Sequence, residues 1–311
     1  MSSPRSGDSE PGALEQLALA SARIPFGLKV ATVWVVIFLL LGAFFAVAQF
    51  DTVWMSDQLS YIAGGLRFTL YIALGGILLA IVLAGLGALG RISSNPIAYG
   101  ISGFYVSFFR GTPLIVQMFL IYLALPQAGG NLSGQFPGLP DWLSRFYTLE
   151  AAVAGTLALG LNYGAYMTEI FRAGIESVSG GQSEAADALG MSYGQKMRKV
   201  VLPQALRVII PPTGNEFIAM LKDTALVSFL GVTASSAEIF RRSQFAGNAD
   251  FKNLEALLIA AGMYWALTAI FTFFQRRLEA RLSKGYVRTA PLRTREEPVP
   301  PHHGSVGHDG F

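Results

Sequence analysis

Only 14% of the 311 residues are charged, so side chains able to hold a charged ligand stand out against an apolar background. Arg110 lies directly before Gly111-Thr112-Pro113, which interrupts an apolar run from 97 to 125. Pro113 lacks an N–H and pushes Thr112 away from helical angles, so a break or kink is expected there. Irregular backbone at membrane depth survives only where protein or a polar cavity surrounds it. Asn162, Tyr163 and Tyr166 precede Glu169, and Asn215 and Glu216 precede Lys222 and Asp223. A charge at the centre of a membrane helix costs ~2.5–3.5 kcal/mol on insertion scales, so such groups face a cavity or each other. Asn162, Tyr163 and Tyr166 offer amide and phenol groups that suit a zwitterionic ligand. The candidate pathway set is Arg110, Thr112, Asn162, Tyr163, Tyr166, Glu169, Glu216, Lys222 and Asp223. A structural role stands beside the functional one throughout: a kink at Thr112, an i,i+3 pair of Glu169 with Arg172, a subunit contact at Lys222 or Asp223. Lys222 and Asp223 diverge by about 100° on a helix and need separate partners.

The second conspicuous stretch is polar and basic. Residues 179–203, SGGQSEAADALGMSYGQKMRKVVLP, separate two apolar runs. Ser192 and Gln195 have the spacing of a capping box, which starts a helix. Gly190 is placed to end the helix before it, where a left-handed residue is needed. By periodicity alone this is either an ordinary basic connection or a docking element.

The wording of the loop separates the two. Glu184-Ala185-Ala186, then Gly190, then Val200 and Leu202-Pro203, resembles the EAA loop of ABC importer permeases, with Val200 where Ile is usual. FRGTPLIVQ upstream, LNYGAYMTEIFRAGIESV before the loop and LPQALRVIIPPTGNEFIAMLKDTALVSFLGV after it are similar to the polar amino-acid branch, which serves histidine, glutamine, glutamate, arginine and opines. The resemblance spans roughly Leu66 to Tyr286. It implies that Glu184, Ala185, Ala186, Gly190, Leu202 and Pro203 belong to a coupling helix seated in an ATP-binding subunit. It also implies a second permease subunit, an extracytoplasmic substrate-binding protein and a polar amino-acid substrate. ATP and magnesium would sit on the partner, with no cofactor on this chain.

Composition points the same way. The chain is 52% hydrophobic, and runs of 18 or more apolar residues read as membrane spans, because a helix rises ~1.5 Å per residue across a ~30 Å core. Six are expected, at about 28–48, 66–89, 97–125, 149–170, 208–232 and 254–275, so the fold class is an all-α integral membrane protein. The resemblance divides these into a five-helix permease core within 66–286 and one extra N-terminal helix at 28–48. Pro211-Pro212-Thr213-Gly214 reads as a helix-disfavouring entry to the fifth span. Counted near the spans, thirteen Lys and Arg fall on the side of the EAA loop and five on the other, which places both termini and the loop in the cytoplasm of a bacterial inner membrane. The pI near 9.1 needs no nucleic-acid partner. Ala46-Val47-Ala48 matches a cleavage site, but the apolar run and the stretch before it are too long for a signal peptide. Residues 1–27 and 289–311, Ser/Pro/Gly-rich and charged, read as cytoplasmic disordered tails. His302, His303 and His308 in the second read as solvated rather than metal-binding.

Gly76, Ala80, Ala84 and Ala88 form a small-xxx-small row for helix contact, within or between subunits. The absence of cysteine removes disulfide and thiolate chemistry. Ser179-Gly180-Gly181-Gln182 looks like an ABC ATPase signature, as Leu132-Ser133-Gly134-Gln135 does more loosely, but no Gly-Lys dipeptide exists to form a phosphate-binding loop. The chain is therefore expected not to be an enzyme. Two alternatives remain: an ion-gradient-driven carrier using Arg110, Glu169 or Glu216, and an ABC permease for another small polar solute.

Overall fold

The computed structural model describes residues 25–136, 138, 140, 149–178 and 180–282, and among them every regular element is helical. Most of both expected tails, including the three histidines, and Ser179 lie outside the described residues. The helices are α1 (Phe26–Ala48), α2 (Thr52–Ala63), α3 (Leu66–Arg91), α4 (Pro96–Gly111), α5 (Leu114–Gln135), α6 (Ala151–Glu176), α7 (Gly180–Ala188), α8 (Tyr193–Lys196), α9 (Leu202–Asp223), α10 (Ile239–Asp250) and α11 (Asn253–Leu282). A π turn, Met197–Val201, joins α8 to α9, and a 3₁₀ segment, Thr224–Leu230, follows α9. Among the described residues, four stretches are long and apolar enough to cross a bilayer: Phe26–Ala48, Thr52–Arg91, Leu114–Gln135 and Asn253–Leu282. The expected span at 149–170 corresponds to α6; that at 208–232 is helical only as far as Asp223, where α9 ends and the 3₁₀ segment follows, and neither helix is in that set.

The chain divides into two compact units, residues 1–69 with 232–263 and residues 70–231 with 264–311. In the first, α1 has no buried residue and is apolar on every face, as a lipid-surrounded helix must be. The connection after it is itself helical, as α2. Asp51 caps α2 by accepting from the Trp54 N–H at 2.9 Å, and Gly65 lies against the backbone of Glu238 and Ile239. Glu238, fully buried, caps α10 through the N–H groups of Phe240 and Arg241.

In the second unit α6 is the most buried helix, with α3 alongside it. Ala80, Ala84 and Ala88 are completely buried, and a Cβ built on Gly76 would meet Leu159 of α6 at 3.4 Å. The small-residue row therefore packs inside the subunit, where close backbone approach compensates for the absence of a hydrophobic drive in lipid.

The break expected at Gly111-Thr112-Pro113 is present: α4 ends at Gly111 and α5 runs from Leu114 to Gln135, past the expected end of the span at 125. One expectation needs correcting. Pro211-Pro212-Thr213-Gly214 does not disfavour helix here, but lies inside continuous α9. Gln275 of α11 donates its amide N–H to the Pro211 carbonyl at 2.7 Å, a cross-helix bond made beside the two prolines. A Cβ on Gly214 would overlap that amide, so the glycine makes the approach possible. The π turn has a related origin. Pro203 cannot donate, and the Leu202 N–H just before it reaches five residues back to Met197.

Candidate substrate cavity and coupling loop

The break between α4 and α5 is built by three residues. Pro113 holds Thr112 at φ −119° and ψ 146°, an extended conformation that ends α4, and then takes the cap position of α5 at φ −63°. The Thr112 hydroxyl donates to the Phe108 carbonyl at 2.8 Å. Gln117, 2% exposed, closes the break from the first turn of α5. Its amide nitrogen donates to the Phe109 carbonyl (2.8 Å), the Thr112 carbonyl (3.0 Å) and the Thr112 hydroxyl (2.7 Å). Its amide oxygen accepts from Asn162 Nδ2 of α6 at 3.0 Å, and the same Nδ2 donates to the Phe109 carbonyl at 3.0 Å. These bonds satisfy carbonyls that the lost helix turn leaves exposed.

This arrangement opens a cavity of about 560 Å³ lined by Arg110, Gly111, Thr112, Pro113, Leu114, Asn162, Tyr163, Tyr166, Glu216 and Asp223. Seven of the nine sequence candidates are thus brought together from three stretches of chain. The Arg110 guanidinium lies 5.2 Å from the centre of the Tyr166 ring, within cation–π range. The Tyr163 hydroxyl donates to Asp223 Oδ2 at 2.8 Å, holding the carboxylate at the end of α9 against α6. Glu216 enters from the same helix two turns earlier. Formal charge in the cavity is one cation against two anions, and the N-terminal end of α5, where a helix presents partial positive charge, opens on it at Pro113 and Leu114.

The other two candidates are elsewhere. Glu169 is not a cavity residue: it bonds Arg172 at 2.8 Å and lies 3.4 Å from Arg91 of α3. Arg172 also reaches Glu176 at 2.6 Å. Hydrogen bonds from Arg172 to Glu169 and Glu176 hold its pKa above the usual arginine value. Lys222 is exposed outside the cavity, because the 100° step from Asp223 points it away. Gln117 is the residue that sequence reasoning missed. A single amide in LIVQMFL, four residues after the proline break, was the available signal.

The loop from 180 to 203 folds as two helices around a turn. Gly190 adopts φ +72°, and the N–H groups of Gly190 and Met191 bond the carbonyls of Asp187 and Ala186 at 2.9 and 3.1 Å. That is a Schellman ending, which requires a left-handed residue. Ser192 and Gln195 form the reciprocal capping box of α8, and Lys196 Nζ clamps both oxygens of Asp187 at 2.9 Å. Glu184 and Ala185 face outward beside Leu189, which is 77% exposed, whereas Ala186 is buried. Leu202 and Pro203 are exposed at the start of α9.

Comparison with known proteins places this geometry. Residues 76–284 match the family model for the binding-protein-dependent transport system inner membrane component. The arginine transport system permease protein ArgU of Corynebacterium glutamicum is 41% identical over 75% of this chain and 71% of its own length. The arginine transport system permease protein ArtQ of Bacillus subtilis is 37% identical over 72% of this chain and 94% of its own. Among solved structures, a crystal structure of an amino acid ABC transporter with histidines superposes with a TM-score of 0.64 at 33% identity, covering 75% of this chain and 99% of that one. Nothing in these relationships supports the ion-gradient-driven alternative. The chain belongs to the family of inner-membrane components of binding-protein-dependent transport systems, as a multi-pass ABC importer permease.

Proposed function

We propose that this permease translocates polar amino acids, basic ones foremost, through the cavity between α4, α5, α6 and α9. The observation that carries this reading is the charge balance of the lining: Arg110 against Glu216 and Asp223. A substrate carboxylate pairs with Arg110 and the N-terminal end of α5. The substrate ammonium and a cationic side chain answer the two carboxylates, leaving the filled site neutral. The arginine systems to which ArgU and ArtQ belong support the same class. A volume of about 560 Å³ lies within the ordinary range for small-molecule sites, ~300–1,000 Å³.

In this reading the chain crosses the bilayer six times, by α1, by α2 with α3, by the broken pair α4 and α5, and by α6, α9 and α11. Both termini and the 179–203 loop face the cytoplasm. Glu184, Ala185 and Gly190, with exposed Leu189, form the coupling surface for an ATP-binding subunit that carries ATP and magnesium. Leu202 and Pro203 set the exit into α9, and Ala186 packs inward to hold the coupling helix. A second permease subunit completes the pathway, and an extracytoplasmic binding protein delivers substrate. ATP-driven closure of the partner moves the coupling helices and switches access, which requires substrate affinity to differ between the two states.

The test is ATP-driven uptake by the reconstituted complex with a panel of labelled amino acids. Arginine or lysine should be taken up in preference to glutamate, and Asp223→Asn should raise KM for the basic substrates about tenfold or more, since a hydrogen bond to a charged group contributes ~1.5–3 kcal/mol. Preference for glutamate, or an unchanged KM, would overturn the cavity assignment.

A further inference from the structure

The turn between α10 and α11 holds a bulky aromatic in the left-handed conformation that favours glycine. Phe251 adopts φ 56°, while the other left-handed positions among the described residues are Gly190, Gly231 and Gln49. A β-carbon is disfavoured there, and glycine is the usual solution at a helix end. The ring is 94% exposed, the most exposed large hydrophobic side chain among the described residues. Its neighbours on both sides are fastened. Asp250 accepts from the Trp54 indole N–H at 2.7 Å, and Lys252 Nζ pairs with Asp51 at 2.5 Å. The Phe251 and Lys252 N–H groups both return to the Gly247 carbonyl. The residues on both sides of Phe251 are thus held by side-chain bonds, while the ring itself is exposed.

Those tethers also fix where the ring stands. Asp51 lies three residues beyond the end of α1, and Lys252 immediately precedes α11. The ion pair between them brings the end of one membrane-crossing helix to the start of another, so Phe251 lies at the level where both leave the hydrocarbon. Val53 and Leu254, at the same level, are 71% and 57% exposed. We infer that Phe251 is an interfacial anchor whose ring seats in the boundary between lipid headgroups and acyl chains, with Val53 and Leu254 beside it. Apolar side chains such as Phe and Leu at that level gain by burial a few ångströms into the headgroup/acyl boundary.

The chain contains no cysteine, so a single nitroxide can be attached without altering other sites. The full-length chain with Phe251→Cys is labelled and reconstituted into phosphatidylethanolamine–phosphatidylglycerol liposomes with no other protein. Asn248→Cys, at an exposed position of α10, is the comparison. Collision with oxygen should exceed collision with a water-soluble nickel chelate at 251, and the balance should reverse at 248. Phe251→Trp, read as tryptophan emission in excess of the unsubstituted chain, should be quenched by brominated acyl chains. Nickel exposure at 251 equal to that at 248, with no added quenching, would place the ring in water and overturn the inference. Shielding from both reagents would place it against a second copy of the chain and overturn it equally.

Discussion

Replacing Gln117 by Leu tests whether the α4–α5 break is held for transport rather than tolerated. Leucine keeps the bulk but removes three donor contacts at 2.7–3.0 Å and the acceptor for Asn162. The Phe109 carbonyl keeps its bond from Asn162, and the Thr112 hydroxyl keeps its bond to Phe108. The Thr112 carbonyl loses the only side-chain donor found for it among the described residues. Side-chain hydrogen bonds within membrane proteins average ~0.6 kcal/mol, and an unsatisfied buried group costs ~1–3 kcal/mol. A net loss of about 2 kcal/mol follows, roughly a 30-fold change in the population of the closed break. Arg110 and Thr112 flank that break, so uptake of a basic amino acid should fall about 30-fold in kcat/KM, while the chain still inserts. ATP-driven uptake in proteoliposomes, with KM and kcat determined separately, reads this directly. Asn162→Ala should be non-additive with Gln117→Leu, because the two share one hydrogen bond. The reasoning fails if Gln117→Leu transports within twofold of the unsubstituted protein, or if the two losses simply add.

Further outcomes follow from other contacts. Tyr163→Phe removes the donor to Asp223 and should raise KM by up to about tenfold, ~0.5–1.5 kcal/mol, with little loss of thermal stability; a changed melting temperature with unchanged KM would assign the bond to packing. Gly190→Val places a β-branched residue at φ +72°, costing ~1–2 kcal/mol locally. With Glu184→Arg, it should abolish substrate-stimulated ATP hydrolysis while membrane insertion persists; normal stimulation would remove the coupling assignment. The Lys252 hydrogen bond, then the Trp54 N–H, lower the Asp51 pKa, while Asp51 raises that of Lys252. The Asp51 contribution is therefore complete above the ordinary aspartate value, about 3.9, and is lost as pH falls through the lower folded value. The Lys252 contribution is complete below about 10.4 and lost as pH rises through its higher folded value. Hydrogen exchange at the Trp54 amide should therefore show constant protection, after correction for intrinsic rate, across neutral pH; a step near neutrality would refute the pair.

Much of the site was legible because membrane burial makes polar residues conspicuous. Arg110, Asn162, Glu216 and Asp223 stand out in apolar runs, and the cost of leaving them in lipid requires a shared cavity. Gly190 and the Ser192–Gln195 pair were legible for another reason: helix ends are decided by residues one to five apart, which a sequence displays directly. The EAA wording added the family, and the alignment-wide match bears it out. Local rules did not decide Pro211 and Pro212, which lie inside a continuous helix against which Gln275, 64 residues away, packs at Pro211 and Gly214. The i,i+3 pair of Glu169 with Arg172 was legible by the same local spacing, whereas its second cation, Arg91, arrives only on α3. Gln117 looked like one polar residue in a greasy helix until folding placed Asn162 and the ends of α4 around its amide. Sequence by itself determined the helical class, the membrane, the family, the helix ends and which polar groups had to be sheltered. The tertiary structure decided which of them meet, because partners for a buried charge are chosen by helices packing across the chain rather than by spacing along it.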